Sequence, residues 1–227
     1  MATYTVEGHE VVLPVHVRDA SSATAIFDVD ATAAAGLVPA DFVLVETGPG
    51  RAHLAIVVVD YRDNDLGAYR EVGLLFFVRP RGGGPDGTYI ARLPVDQPFT
   101  CAAGRQIWGF PKTLERIDLE VHRDWATCAL FMDNTLVLRL TVPRGGTEEM
   151  PALPMTSYTL IGAVPHATAF TQQGTGTQLV LGGEGVSLEL GPHPVAGELA
   201  AMGLPSAAVL STWTEHMTAQ FEAPQPL

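Results

Sequence analysis

The chain has 227 residues, nearly half of them apolar and only 17% charged, which supplies a sizeable core and excludes a disordered segment. Its 25 acidic against 13 basic side chains leave a formal charge of −12, which argues against a phosphate-binding surface and so against a nucleic-acid partner. Two distant cysteines, Cys101 and Cys128, form neither a disulfide framework nor a zinc motif. No segment has signal-peptide character or transmembrane length, so a cytoplasmic protein without a membrane partner is expected.

Along the chain the dominant period is two. The runs 10–18 (EVVLPVHVR), 23–29 (ATAIFDV), 51–61 (RAHLAIVVVDY) and 72–80 (VGLLFFVRP) are β-branched or aromatic and bounded by turn residues, which predicts strands. Asp30 is placed to cap a short helix over 30–37. The loop 79–87 (RPRGGGPDG) lacks the Lys-Ser/Thr that follows a phosphate-binding glycine loop, and reads as a mobile hairpin loop. Between Glu115 and His122 apolar and polar residues alternate cleanly. The runs 126–132 and 134–142 predict a hairpin turning at Asp133-Asn134. The segment 143–154 reads as a Gly- and Pro-rich loop, and 177–191 as a further hairpin around Gly182–Gly185. A second short helix is expected over 195–203, and the tail 221–227 is expected to fray. No interdomain linker or internal repeat is visible, so the chain reads as one mainly antiparallel β domain, 1–227, with a few short helices.

The segment 104–115, GRQIWGFPKTLE, holds the only lysine of the chain, Lys112, against twelve arginines. An ammonium can lose its proton and become a nucleophile, whereas a guanidinium cannot. Free lysine titrates near 10.4, so a Schiff-base lysine at neutral pH needs that value lowered, by burial or by a neighbouring cation. Trp108, Phe110, Pro111 and Leu114 supply apolar surroundings, Pro111 fixes the preceding backbone, and Gly109 permits an unusual turn.

This segment resembles the lysine motif of the acetoacetate decarboxylase-like superfamily, in which Gly-Arg-Glu and a short apolar run precede Pro-Lys. The segment 66–73, LGAYREVG, is similar to the family's glutamate-bearing stretch, at a similar spacing, and places that glutamate at Glu71. The resemblance implies antiparallel strands curled into a cone-like barrel, assembly into a homo-oligomer, and no cofactor or metal. It also implies that Lys112 forms an iminium with a keto acid or ketone, with Glu71 positioning substrate or moving protons. Tyr69 alternates with Glu71 on one strand face and is expected beside it. Gln106, at the acid position of the motif, is expected near the substrate. Trp108 and Phe110 are read as core or as cavity wall, which the sequence does not separate. Arg105 is read as a buried ion-pair partner rather than a substrate contact.

The departures are as informative. Thr113 stands where the family's decarboxylase has a second lysine, so lowering of the Lys112 pKa is assigned to desolvation alone. Apolar residues near Ile56 replace a second family glutamate. Ala20 occupies the register of a family arginine, for which Arg18 is the nearest candidate. These changes favour a cofactor-free Schiff-base lyase doing aldol, dehydration or cyclisation chemistry, of a kind met in secondary metabolism, over a β-keto acid decarboxylase. A non-catalytic small-molecule binder is the third reading. The histidines show neither HxH nor HExxH spacing, which leaves no expected metal site.

Overall fold

A computed structural model describes residues 2–227. Two short strands, Thr3–Val6 (β1) and His9–Val12 (β2), pair as a separate hairpin. The long strand Val15–Asp30 (β3) runs into helix Ala31–Ala35 (α1), and the short strands Phe42–Leu44 (β4) and Glu46–Gly48 (β5) follow. Arg51–Asn64 (β6), Tyr69–Pro80 (β7) and Gly87–Val95 (β8) form an antiparallel meander. Helix Pro98–Trp108 (α2) leads to strand Lys112–Leu114 (β9) and then to Arg116–Val121 (β10), Trp125–Met132 (β11) and Thr135–Pro143 (β12). The ribbon Glu148–Ile161 (β13) and Val164–Leu181 (β14) precedes Ser187–Leu190 (β15) and helix Pro194–Ala201 (α3). Strands Ala208–Phe221 (β16) and Gln225–Pro226 (β17) end the chain.

Seven strands close on themselves in the order β7-β6-β3-β16-β14-β13-β8 and back to β7. Every pairing in the ring is antiparallel except β13 with β8, where Ser157 and Tyr158 run parallel to Thr88 and Tyr89. Closure removes the open edges that an extended sheet would present. Strand β9 adds to β8 in parallel, and β10-β11-β12-β15 make a second sheet. The alternation read from the sequence sorts the long strands into two buried faces. On β6, Leu54, Ile56 and Val58 belong to one cluster, shared with Ile117, Leu130 and Leu138 of the second sheet. Val59 and Tyr61 belong to the other, shared with Cys101, Ala103 and Ile107 of α2.

The structure departs from the sequence reading in five places, the first being helix α2, which that reading did not contain. Pro14 has no amide to donate, and the chain between β2 and β3 breaks there, so 10–18 is two strands; beyond it, β3 runs unbroken through 23–29, with register shifts near Asp19. Residues 148–154 are strand rather than loop, with Pro151 and Pro154 tolerated beside a register shift between Met150 and Leu153. The 177–191 hairpin does not form. After Gly182–Gly185 the chain leaves the barrel, and β15 pairs with β12 in the second sheet, where Leu188 joins the core. The tail is held by pairing of His166 and Ala167 with Pro226 and Gln225. Both expected helices form, α1 with Asp30 accepting from the Ala33 amide at 2.8 Å. Among the described residues no helix is long and apolar enough to cross a membrane.

Phe27 is fully buried between the barrel wall and the second sheet. Phe27→Ala leaves a cavity that this closed wall cannot collapse to fill, and should cost about 3–5 kcal/mol. Urea unfolding should show a lowered midpoint with an unchanged slope.

Candidate active site

Four elements meet at one buried cluster. On β7, Tyr69 and Glu71 share a face, and Tyr61 of β6 sits opposite Tyr69 in the register. Two strands along from β7, beyond β8, β9 places Lys112 opposite Leu93, with its side chain on the buried side and Thr113 exposed on the other. Helix α2 covers the cluster. Pro98 occupies its first turn, the Gln97 side chain accepts from the Thr100 amide at 2.6 Å, and Gly109 ends it in the left-handed conformation with φ 66°. The turn at Gly109 brings the chain straight back into β9, so Lys112 lies under the helix that precedes it.

The amine is 4% exposed and its carboxylate partner 9%. Lys112 Nζ donates to Glu71 Oε2 at 2.8 Å and to Thr100 Oγ1 at 3.0 Å, and it lies 3.5 Å from Tyr69 Oη and 4.8 Å from the centre of that ring. Tyr61 Oη donates to the other Glu71 oxygen at 3.3 Å and stacks on Tyr69 with centroids 4.4 Å apart. Burial pushes the ammonium down, but the Glu71 carboxylate, and after it Tyr69, more than offset this and hold the Lys112 pKa above its ordinary value. Desolvation therefore does not act alone, contrary to the expectation from sequence, because a carboxylate sits within hydrogen-bond distance. Burial first, and the Glu71 charge next, hold the Tyr61 phenol well above its usual range. Burial also raises Tyr69, against the nearby Lys112 charge.

Chemically, the cluster pairs one amine with one proton acceptor across a single hydrogen bond, in a place nearly free of water. Proton transfer from Nζ to Glu71 converts two buried ions into two neutral groups, one of them a nucleophile. Two surface clefts lie elsewhere. One of about 610 Å³ is bounded by Leu114, Arg116 and Phe131, and another of about 440 Å³ by Tyr158 and Glu222; Lys112 lines neither.

The structure brings Lys112, Glu71 and Tyr69 together and leaves other candidates outside. Arg18 is solvent-exposed and bound to Asp63 and Asp65, at 2.8 and 2.6 Å. Gln106 is exposed on the far side of α2, where its amide donates to the Thr5 carbonyl at 2.8 Å. A helix turns these adjacent residues outward while Gly104 and Ile107 face in, so Arg105 is exposed rather than a buried ion-pair partner. Trp108 and Phe110 stack in the core, and the indole N–H of Trp108 is used by the Glu222 carbonyl at 2.9 Å. Thr100 and Tyr61 were not singled out by sequence. The signal for Thr100 was the unrecognised helix start at Pro98, which puts residue 100 one turn before Gly104 on the inward face.

Comparison with known proteins bears on the family and the fold. The family described as acetoacetate decarboxylase (ADC) matches residues 1–223. Acetoacetate decarboxylase 1 of Bradyrhizobium diazoefficiens is 34% identical over 77 residues, 34% of this chain and 30% of that protein, so the match spans less than a third of that relative's length. The acetoacetate decarboxylase of Legionella pneumophila superposes with a TM-score of 0.69 at 18% identity, covering 94% of this chain and 87% of that one. The enduracididine biosynthesis enzyme MppR, solved in complex with pyruvate, gives 0.63 at 14% identity, covering 95% and 91%.

Two predictions follow from the geometry. Glu71→Gln removes the charge that holds the proton and leaves burial dominant, so the Lys112 pKa should fall below its wild-type value. The pH midpoint of amine-selective acylation at Lys112, read by peptide mass, should move down; an unchanged midpoint would show that Glu71 does not hold the proton. A Cβ at Gly104 would meet Lys112 Cδ at 2.5 Å and Cε at 2.7 Å. Gly104→Ala should therefore keep the fold, since alanine favours the helix by up to about 1 kcal/mol. It should slow carbonyl trapping at Lys112 by about 100-fold, because the amine is displaced.

Proposed function

Because the chain belongs to the acetoacetate decarboxylase family, we propose that Lys112 is its nucleophile and forms an iminium with a carbonyl compound, a keto acid or a keto-bearing metabolite. The observation that carries this reading is the sole lysine buried 2.8 Å from its own proton acceptor. Nζ gives its proton to Glu71, and the neutral amine attacks the carbonyl carbon while the C=O pair moves to oxygen. A proton passes from nitrogen to that oxygen. The Glu71 acid then protonates the resulting hydroxyl, water leaves, and the nitrogen lone pair closes the C=N⁺ bond. Glu71 is a carboxylate again, beside a cation that draws electrons from the neighbouring carbon.

That carboxylate is placed to take a proton from the carbon next to the iminium, which yields an enamine. An enamine adds to a second carbonyl group, and loss of water completes an aldol and dehydration sequence or, within one molecule, a cyclisation. Thr100 and Tyr69 orient Nζ, and Tyr61 orients Glu71, so the reacting pair is fixed before the substrate enters. The pyruvate complex of MppR supports carbonyl chemistry on this fold.

Incubation with pyruvate, acetoacetate and simple ketones, reduction with borohydride and peptide mapping should give an adduct on Lys112 that Lys112→Ala abolishes. The absence of any adduct, or one that persists in Lys112→Ala at another internal residue, would remove the Schiff-base reading. Release of CO₂ from acetoacetate at a rate matching adduct turnover would assign decarboxylation instead of condensation.

A further inference from the structure

Granting Lys112 as the Schiff-base residue, the charges around it select among carbonyl compounds. Among the described residues, Lys112 is the one cation that contacts Glu71, Tyr69, Tyr61 or Thr100. The arginines are committed elsewhere. Arg70 and Arg92, each one residue from a member of the cluster or its wall, point to the opposite face. Arg70 reaches Asp60 and the Ile117 carbonyl, and Arg92 makes a bidentate pair with Glu198. Arg18 is held at the surface by two aspartates. Each of the others is exposed to solvent, paired with a carboxylate outside the cluster, or both.

The cluster is therefore neutral, one ammonium against one carboxylate, and iminium formation keeps it neutral, since the ammonium's charge becomes the iminium's. A substrate carboxylate next to the reacting carbonyl would add a second negative charge beside Glu71 with no cation to meet it. The three hydroxyls can orient an oxygen but cannot neutralise it, and a buried, unpaired carboxylate is among the costliest groups to hold. The chain's excess of 25 acidic over 13 basic side chains acts in the same direction, repelling anions as they approach.

We infer that the substrate is uncharged around its reacting carbonyl: a ketone, aldehyde or keto ester, with no free carboxylate on the carbons next to it. The deciding measurement is borohydride trapping of the wild-type protein with matched pairs, methyl acetoacetate against acetoacetate and methyl pyruvate against pyruvate. Each is normalised to its reactivity with Nα-acetyl-lysine in solution, and the adduct on Lys112 is quantified by peptide mapping. Each ester should label Lys112 at least about tenfold more readily than its acid, a preference well within the penalty for an unpaired buried charge. An acid that labels Lys112 as well as or better than its ester would overturn this inference while leaving the Lys112 nucleophile standing. Failure of all four compounds to label Lys112 would overturn both.

Discussion

The 2.8 Å contact between the Lys112 ammonium and the Glu71 carboxylate is the constraint around which this part of the molecule is arranged. Taking two ions out of water costs several kcal/mol each, and their attraction offsets that only if the distance is short and the remaining donors and acceptors are satisfied. Each requirement is met by a different element. β7 carries the carboxylate, β9 carries the amine, β6 supplies the Tyr61 hydroxyl for the second carboxylate oxygen, and α2 supplies Thr100 for the amine. Thr100 is fully buried, so its hydroxyl has no water to turn to and holds its place as acceptor for Nζ.

A pair that depends on distances of this order needs a helix that does not slide. α2 is fixed at both ends by side chains reaching outside it. At its start, the Gln97 amide donates to the Leu66 carbonyl at 3.2 Å, tying the helix to the turn between β6 and β7. At its end, the Trp108 carbonyl accepts from Thr159 of β13 at 2.7 Å, and its indole donates to Glu222 just past β16. The helix is thus tied to the β6–β7 turn at one end and to β13 and the segment after β16 at the other. Gly104 completes the fit, because only the missing side chain lets the lysine methylenes pass beneath the helix. The glycine of the sequence motif is explained by close approach, not by backbone conformation.

How much of this could be read from residues alone divides along physical lines. The strands were legible because β-branched and aromatic runs mark β6 and β7 and clean alternation marks β10, while their closure into a barrel was legible only through the family resemblance; the hairpin at Asp133-Asn134 was legible because both residues accept positive φ, here 50° and 59°. The ribbon β13–β14 was less so: its Thr, Gln, Gly and Pro residues form a largely exposed pairing with little apolar period, and its strength lies in partners 3 to 29 residues away. Helix α2 was missed although Pro98 and Gly109 mark its ends, because PFTCAAGRQIW is apolar on too many sides to show a 3.6-residue stripe. Missing the helix misdirected two residues. Without the helix, Gln106 is free to face the site and Arg105 to turn into a buried ion pair, whereas the helical turn carries both to solvent. Lys112, Glu71 and Tyr69 needed only the period of two and a motif. The orientation of Arg18 depends on aspartates 45 and 47 residues away, a long-range preference that no local pattern carries.

The position after the lysine shows why a side chain's identity matters less than its face. Strand alternation turns Thr113 outward, so a change there alters the environment of Lys112 far less than a change at Glu71, 41 residues earlier in the chain. With that carboxylate in contact, the Lys112 pKa is held up rather than lowered. The proposed Schiff-base route would therefore draw its nucleophile from exchange within the pair. Along that route ammonium and carboxylate would become amine and acid, then carbinolamine and acid, then iminium and carboxylate, with the charges summing to zero at every stage. A cluster that never acquires net charge can stay buried throughout, without water having to enter to stabilise an intermediate. The stability that the pair lends the fold has the same origin. Because the folded-state pKa of Lys112 lies above the unfolded one, that contribution is full below the ordinary lysine range and is lost only as pH climbs through the raised value. The interaction that keeps the Lys112 amine capped also allows an ionisable pair to sit where a barrel would otherwise require apolar side chains.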